Sequence, residues 1–469
     1  MVAEREGLQQ ALHEALRGWH AQAAPQETAL DDLLLVKERR EELARDGNAL
    51  AMRLATNHVL LEALEQLERQ DETAAQVLRW RFPDDNTLLM VAHRLNVSEH
   101  TVSRMQRAAI AQLAAILEAQ ETALRERRVQ QLKAELPPPT YTRLFGVESR
   151  REELRRELQQ SDGPGVIAVV GIGGIGKTAL ADAVTRDLIQ AVAFDEVIWL
   201  RYEARTMSGQ ALSPENAFEA LLDDLAGRLG LAQSAASAAE RLAAVRGRLK
   251  AARHLVAIDN LETEAVADFL LNHLGELAGP GKFLLTMRSR PRGQAAVRHI
   301  TLPELALEDA AQLLRRHAAE VGVSAAANAG DEDVARIYAV VGGNPLALKL
   351  VVGLLDLLPL NQVLSQLSQS RPGPVEALYR HIYWQTWRTL GDAARTLLQA
   401  MPLVAESGGD PEYLRAISGL DDDNFWPALQ ELRSRSLLEV RGTLDEKRYG
   451  VHQLTETFVR TEIVNWSEE

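Results

Sequence analysis

The sequence predicts a multidomain chain: an α-helical N-terminal domain with a helix-turn-helix, a parallel α/β domain, a helical annex and a C-terminal winged helix. Three observations carry that class. At 469 residues the chain exceeds one core, and about 150 residues per domain gives roughly three domains. From Glu4 to Gln131 apolar residues recur at three and four with almost no β-branched runs, which reads as helix. From Val166 onward, short β-branched runs alternate with amphipathic stretches, the order of a parallel sheet covered by helices.

Composition sets limits before any motif is considered. Hydrophobic residues make up 46% and charged residues 25%, enough to bury a core and unlike a disordered chain. There are 52 Lys plus Arg against 66 Asp plus Glu, a net charge of −14. No global positive field therefore draws the molecule to nucleic acid or anionic lipid, and any such binding must be local. The absence of cysteine excludes disulfides, Cys-ligated clusters or zinc, and a cysteine nucleophile, and it fits a reducing compartment. The opening MVAEREGLQQALHEAL lacks the apolar run of a secretory signal, and the apolar stretch Pro345 to Leu360 is broken by Lys349 and Asp356 and is too short to span a bilayer. The expectation is a cytoplasmic protein with no membrane partner. No period of 20–50 residues repeats, so no solenoid is encoded.

The N-terminal domain is placed at 1–135, with charged stretches such as 37–46 as solvated helix faces. Within it, AAQVLRWRF (74–82), NTLLMVAHRL (86–95) and SEHTVSRMQRAAIAQLAAIL (98–117) form three helical runs with short breaks, a helix-turn-helix over about 73–117. Asn96-Val97 supply the tight turn and Ser98 caps the third helix. Leu89, Ala92, Leu95, Val97, Val102 and Met105 are expected to hold the angle, leaving Glu99, His100, Ser103, Arg104 and Arg107 outward. His100, Ser103, Arg104 and Arg107 are the candidate contacts to DNA or a protein partner. The stretch Thr101-Val102-Ser103-Arg104 resembles the promoter-reading helix-turn-helix of sigma factors. Across 71–110, however, five basic residues face five acidic ones. Duplex affinity depends on phosphate neutralisation, so a monomer would bind weakly and dimerisation would have to multiply the effect. A helical adaptor using the same surface for protein is the alternative.

LPPPT at 136–140 cannot continue a helix and marks the first boundary. The α/β domain, 136–305, opens with VIAVV at 166–170, suited to a strand buried on both faces. A glycine-rich turn follows, Gly171-Ile172-Gly173-Gly174-Ile175-Gly176-Lys177-Thr178, and then a helical pattern from Ala179. This G-x-x-x-x-G-K-[ST] string between strand and helix is a phosphate-binding loop. Glycines let backbone N–H groups converge on phosphate where a Cβ would clash, and the helix start adds partial positive charge. Lys177 supplies a mobile charge for the outer phosphates, and Thr178 places a hydroxyl where Mg²⁺ would sit. The bland alternative is a glycine turn with a surface lysine.

HLVAIDN at 254–260 is the next isolated strand ending in an acid. Asp259, expected on a strand next to the phosphate-loop strand, would hold a water ligand of Mg²⁺, or else cap the next helix. Asn260 can orient water without taking its proton, which leaves Glu262 as the nearest candidate base and implies slow hydrolysis. KFLLTMRSR at 282–290 ends in Thr286, Arg288 and Arg290, from which a cation could reach a γ-phosphate, unless these are merely charges on a strand-end loop. FDEVIWL (194–200) and HITLPEL (299–305) read as further strands, and AFEALLDDLAGRLG and AAERLAAVRGRLK as amphipathic helices.

The helical annex, 306–370, contains DAAQLLRRHAAE and DEDVARIYAVVGG, with VSAAANAG (323–330) between them read as a loop. Pro345 then opens an apolar helix and on its own is an ordinary N1 proline. A second boundary falls near RPGP at 371–374. The final segment, 371–469, pairs apolar helices with the hairpin LLEVRGTLDEKRYGV, suiting three helices and a wing. His452, between that hairpin and a helix opening near Thr455, would by default be a surface or core histidine.

Residues 143–465 as a set resemble the signal-transducing NTPases of the NB-ARC type, in the STAND class, related to plant disease-resistance proteins and apoptotic adaptor ATPases. RLFGVESRREEL (143–154) is similar to the family's leading segment, with Val147 where arginine is usual. GIGGIGKTAL matches the phosphate loop through Ala179, LVAIDN resembles its Mg²⁺ strand, and TMRS (286–289) its sensor, with Arg288 in the arginine place. GGNPLAL (342–348) resembles the motif whose proline, here Pro345, packs on adenine. YGVHQLTETFV (449–459) resembles the terminal histidine motif, although Val451 and Gln453 replace the usual Met and Asp. The resemblance implies an ADP or ATP site with Mg²⁺. Gly171, Gly173, Gly174, Ile175, Gly176, Lys177, Thr178, Ala179, Val147, Pro345 and His452 would bind the nucleotide, Thr178 and Asp259 the metal, and Lys177, Asp259, Glu262 and Arg288 would serve catalysis.

In the family a winged helix closes over ADP, so here it reads as a lid with His452 on the β-phosphate. The expected function is an ADP/ATP-controlled signalling switch, closed with ADP and self-associating with ATP, in transcription regulation or prokaryotic defence. The alternatives are a steady-turnover ATPase remodelling nucleic acid or protein, and an ATP-regulated adaptor without DNA binding. Relatives usually carry a sensing repeat domain after the winged helix. Here a separate sensor protein, the N-terminal region or a longer product would have to fill that role.

Overall fold

A computed structural model of the chain describes residues 2–20, 29–45, 51–202, 213–231, 237–261, 264–288, 297–368, 375–404, 408–443 and 446–464. Two compact units result, Met1–Gln131 and Leu132–Glu469.

The first unit is helical: α1 (Val2–Arg17), α2 (Leu34–Arg45), α3 (Ala51–Gln70), α4 (Glu72–Arg81), α5 (Leu88–Leu95) and α6 (Glu99–Ala134). Its core gathers Leu12, Leu16, Leu60, Leu64, Leu78, Leu113 and Leu117 from four of these helices. In the helix-turn-helix, Asp71 and Thr87 cap α4 and α5, and Asn96 takes the left-handed conformation (φ 53°, ψ 46°) that turns the chain. Ser98 Oγ accepts from the Thr101 N–H at 3.2 Å, capping α6 as expected. The angle is held by Val77, Val91, Ala92 and Val102, with Trp80, Leu88, Leu95 and Met105 packed around them. Leu89 and Val97, assigned to this core from sequence, are instead exposed by 52% and 39%. The α5 face is rotated so that Leu88 and Val91 point inward. The third helix also outruns its expected end at 117, because Ala-, Leu-, Glu- and Arg-rich sequence continues without a breaker to the prolines.

The second unit begins with α7 (Glu148–Gln159) and a five-stranded parallel sheet. Its elements run β1 (Val166–Val170), α8 (Lys177–Gln190), β2 (Glu196–Arg201), α9 (Pro214–Arg228), α10 (Ala238–Ala251), β3 (His254–Leu261), α11 (Glu264–Leu277), β4 (Lys282–Met287) and β5 (Val297–Thr301). All five residues of β1 are buried, as a strand covered on both faces requires. One sheet face packs on α9, α10 and α11 through Ile198, Leu200, Val256, Ile258, Leu221 and Leu270. The strand order is β2-β3-β4-β1-β5. The expectation that the Asp259 strand adjoins the phosphate-loop strand is thus corrected: β4 lies between them, because the β1-to-β3 crossovers leave a gap that β4 later fills.

After the sheet come α12 (Leu307–Val321), α13 (Ser324–Ala327), α14 (Asp331–Val341), α15 (Pro345–Leu355) and α16 (Leu360–Ser368). The segment 323–330 read as a loop holds the one-turn α13, with Ala326 buried against the helices around it. The boundary at 371–374 lies outside the described residues. The rest is α17 (Val375–Thr389), α18 (Asp392–Ala400), α19 (Pro411–Ser418), α20 (Asp422–Ser434), the antiparallel pair β6 (Glu439–Gly442) and β7 (Lys447–Gly450), and α21 (Gln453–Phe458). One continuous apolar core joins α12–α16 to α17–α21. They approach closely at Gly353, where an added Cβ would lie 2.5 Å from the Arg435 carbonyl oxygen.

A candidate nucleotide site at the phosphate loop

The turn between β1 and α8 is shaped by its glycines. Gly174 (φ 70°) and Gly176 (φ 101°) hold left-handed backbone, a conformation costly to any residue with a Cβ. Gly176 is the N-cap of α8 and supplies no side chain to its first N–H groups, which stay available to an anion. The loop is fixed from outside. Asn344, 2% exposed, donates from Nδ2 to the Gly173 carbonyl at 2.9 Å. Its Oδ1 accepts from Leu346 and Ala347, starting α15. The Tyr379 hydroxyl of α17 donates to the same Gly173 oxygen at 3.2 Å. Leu454 of α21 lies 3.3 Å from where a Gly173 Cβ would stand.

Asp259, 4% exposed at the end of β3, is the acid of the site. Its Oδ1 accepts from Thr178 at 2.8 Å and from Thr286 at 2.5 Å. The Thr286 oxygen in turn accepts from the Asn260 N–H at 2.8 Å. Asn260 is left-handed (φ 77°), at the irregularity where β3 shifts register against β4. Thr286 is therefore a positioning residue for Asp259, reached from the intervening strand. The hydroxyl–carboxylate pair of Thr178 and Asp259 is a hard-oxygen donor set suited to Mg²⁺, which takes one or two protein groups and completes its shell with water and phosphate. Among the described residues no group of three or more His, Cys, Asp or Glu could hold a metal.

A cavity of about 630 Å³ opens over the loop. Gly173, Gly174, Ile175, Gly176, Lys177, Thr178 and Ala179 line it, as do Val147, Asp259, Arg288, Pro345 and His452. These residues, drawn from six separate stretches of sequence, face one space. Gly171 does not line it: it sits at the loop's foot, where a Cβ would meet Ile175 and the Leu302 carbonyl at 3.0 and 3.1 Å. Glu262 and Arg290 lie outside the described residues. Val147 is the N-cap of α7, and the Lys177 ammonium donates to the Ile172 carbonyl at 3.0 Å.

His452 is the N-cap of α21, its Nδ1 accepting from the Leu454 N–H at 3.1 Å. That bond places the ring proton of the neutral form on Nε2. Burial first, then the charges of Lys349, Arg201 and Lys177, push its pKa down to about 4 against an opposing effect of Glu439. At neutral pH it is an uncharged donor. Asn344 and Tyr379 were not legible as site residues, since their bonds to Gly173 span 171 and 206 positions of chain.

In the first unit, His100, Arg104 and Arg107 are exposed on one face of α6, and Ser103 is half-buried.

Comparison with known proteins gives two family matches: the NB-ARC domain over residues 147–320 and sigma-70 region 4 over residues 63–115. A disease resistance-like protein of Arabidopsis thaliana is 28% identical over 222 residues, 46% of this chain and 17% of the relative, so the chain spans under a fifth of that relative's length. Among solved structures, a STAND protein with a tetratricopeptide repeat sensor from Pyrococcus horikoshii aligns over 71% of this chain and 44% of its own, at 21% identity and a TM-score of 0.43. The Aeropyrum pernix ORC2 protein, solved as ADPNP-ADP complexes, aligns over 71% and 98% at 14% identity and a TM-score of 0.34. Among the described residues no helix is long and apolar enough to cross a membrane. The phosphate loop and its acid lie inside the range matched by the NB-ARC domain, and the helix-turn-helix lies inside the range matched by sigma-70 region 4, so the chain carries an NB-ARC domain and an N-terminal helix-turn-helix of the sigma-70 region 4 type.

Proposed function

We propose that the chain is a nucleotide-controlled switch of the cytoplasm, closed around ADP and opened by ATP. The supporting observation is the single cavity lined together by the phosphate loop, Asp259, Pro345 and His452. In this reading the domains run 1–135, 136–305, 306–370 and 371–469. In the last, α18, α19, α20 and the β6–β7 hairpin form a winged helix that acts as a lid. The loop N–H groups and Lys177 bind the phosphates, Pro345 packs on adenine, and the His452 Nε2–H donates to the β-phosphate. Bound Mg²⁺ would neutralise phosphate charge, held through Thr178 and Asp259. Arg288 faces the third phosphate, and Glu262 is the base of a slow hydrolysis.

For the nucleotide to move the lid it must bind one form better than the other; a swing from 1:99 to 99:1 takes about a 10⁴-fold difference. Opening would let several copies associate, gathering their N-terminal modules on a common target, with a separate protein as sensor. That target is better described as protein than as DNA. Arg79 pairs with Glu68, Arg81 bonds the Asn86 carbonyl and Gln106, and Arg94 stacks over Trp80. Among the described basic residues of 71–110, Arg94, Arg104 and Arg107 are the exposed ones, few for a phosphate backbone.

The test is to denature purified protein and identify the released nucleotide, then to follow ADP release from wild type and His452→Ala. Bound ADP with faster release from the variant is expected. Protein that is empty and cannot rebind ADP would refute the switch. Binding of random duplex that falls steeply with salt would restore the DNA reading.

A further inference from the structure

The β6–β7 hairpin brings a carboxylate to the cavity over the phosphate loop. Glu439 opens β6, pairs in register with Gly450 of β7, and lines the same cavity as Lys177 and His452, which follows Gly450 by two residues. An acid facing a polyphosphate is unfavourable unless cations accompany it, and here they do. Arg441, 8% exposed, donates from Nη2 to Glu439 Oε2 at 2.6 Å. Lys349, one helical turn beyond Pro345 on α15, lines the same cavity. Burial pushes the Glu439 carboxyl up while the Arg441 and Lys349 charges and the Arg441 hydrogen bond pull it down, and the 2.6 Å ion pair with Arg441 is that of a carboxylate.

Resting on the switch reading above, we propose that Glu439 is the specificity-determining residue that sets ADP against ATP in the closed cavity. A diphosphate leaves the Glu439 carboxylate balanced by Arg441 and Lys349. A third phosphate adds negative charge to the same enclosed space and competes for Lys349, and the unbalanced carboxylate then drives β6 and α21 off the loop. Lys349 is the positioning counter-charge. Replacing either residue should therefore move the ATP-to-ADP affinity ratio in opposite directions, which neither loss of packing nor loss of the loop would do.

Affinities for ADP and for the β,γ-imido analogue of ATP, each with Mg²⁺, are measured on the full chain for wild type, Glu439→Gln and Lys349→Gln. Glu439→Gln is expected to tighten the ATP analogue about tenfold while ADP changes less than threefold. Lys349→Gln is expected to lower the ATP-to-ADP ratio several-fold. A ratio within twofold of wild type in both folded variants overturns the assignment and leaves the switch standing. Should Glu439→Gln not fold, the Lys349→Gln ratio alone decides. A wild-type chain that binds neither nucleotide overturns the switch and this inference together.

Discussion

Replacing Tyr379 by Phe removes the hydroxyl that α17 places on the Gly173 carbonyl of the phosphate loop. The residue is 3% exposed and its ring is retained, so packing is conserved and only the hydroxyl is lost. The Gly173 carbonyl keeps its bond from Asn344 at 2.9 Å, and no buried acceptor is orphaned. The loss is then that of one neutral hydrogen bond, about 0.5–1.5 kcal/mol. If that bond is made only when the lid is closed, closure weakens by roughly two- to tenfold. Stopped-flow release of a fluorescent ADP analogue reads this directly. Asn344→Ala provides the scale: it strips the carbonyl of its shorter bond and uncaps α15, about 2–4 kcal/mol in all. The expected order is therefore Asn344→Ala faster than Tyr379→Phe, and both faster than wild type. Release from Tyr379→Phe within 1.5-fold of wild type (roughly 0.2 kcal/mol) would refute the idea that α17 clasps the loop.

Two other predictions concern pH and packing. Burial pushes His317 down to about 3, with Lys349 adding to the effect, and His452 stands at about 4, whereas both are near 6.5 when unfolded. The unfolded chain then takes protons that the folded chain refuses, so stability is full above about pH 6.5 and falls as pH drops toward 4. Urea midpoints should be lower at pH 5 than at pH 7, and His317→Asn should flatten the difference; equal slopes would count against the two buried rings. Gly353→Ala places a methyl against the Arg435 carbonyl, and overpacking of this kind costs about 1–3 kcal/mol. Chemical denaturation should detect that loss, and an unchanged midpoint would mean that α15 and the α20–β6 junction are not held in contact.

Local signals were legible where the physics is local. The five-residue apolar run of β1, the left-handed glycines of the loop and the caps at Asn96 and Ser98 all follow from side chains within a few positions. The place of Asp259 was legible as a strand end, but its neighbours were not. Strand order comes from crossovers between distant segments, and β4 enters the gap 27 residues later through the Thr286 bond to Asp259. In the helix-turn-helix the period alone could not decide which of Leu88 and Leu89 turns inward, and both are leucine. Tyr379 carried no signal at all, since its value lies in a carbonyl oxygen 206 residues away.

The two ends of the Asn344 amide perform separate tasks, one starting a helix and the other gripping the loop oxygen. Because both depend on one rotamer, the loop cannot rotate that oxygen away without loosening the first turn of α15. A ligand that reshapes the loop therefore pulls directly on the helix that carries Pro345 and Lys349. In the proposed switch, chemical events at the phosphates would reach the helical layer through this planar group, beside the direct Leu346 N–H bond to the Gly174 carbonyl.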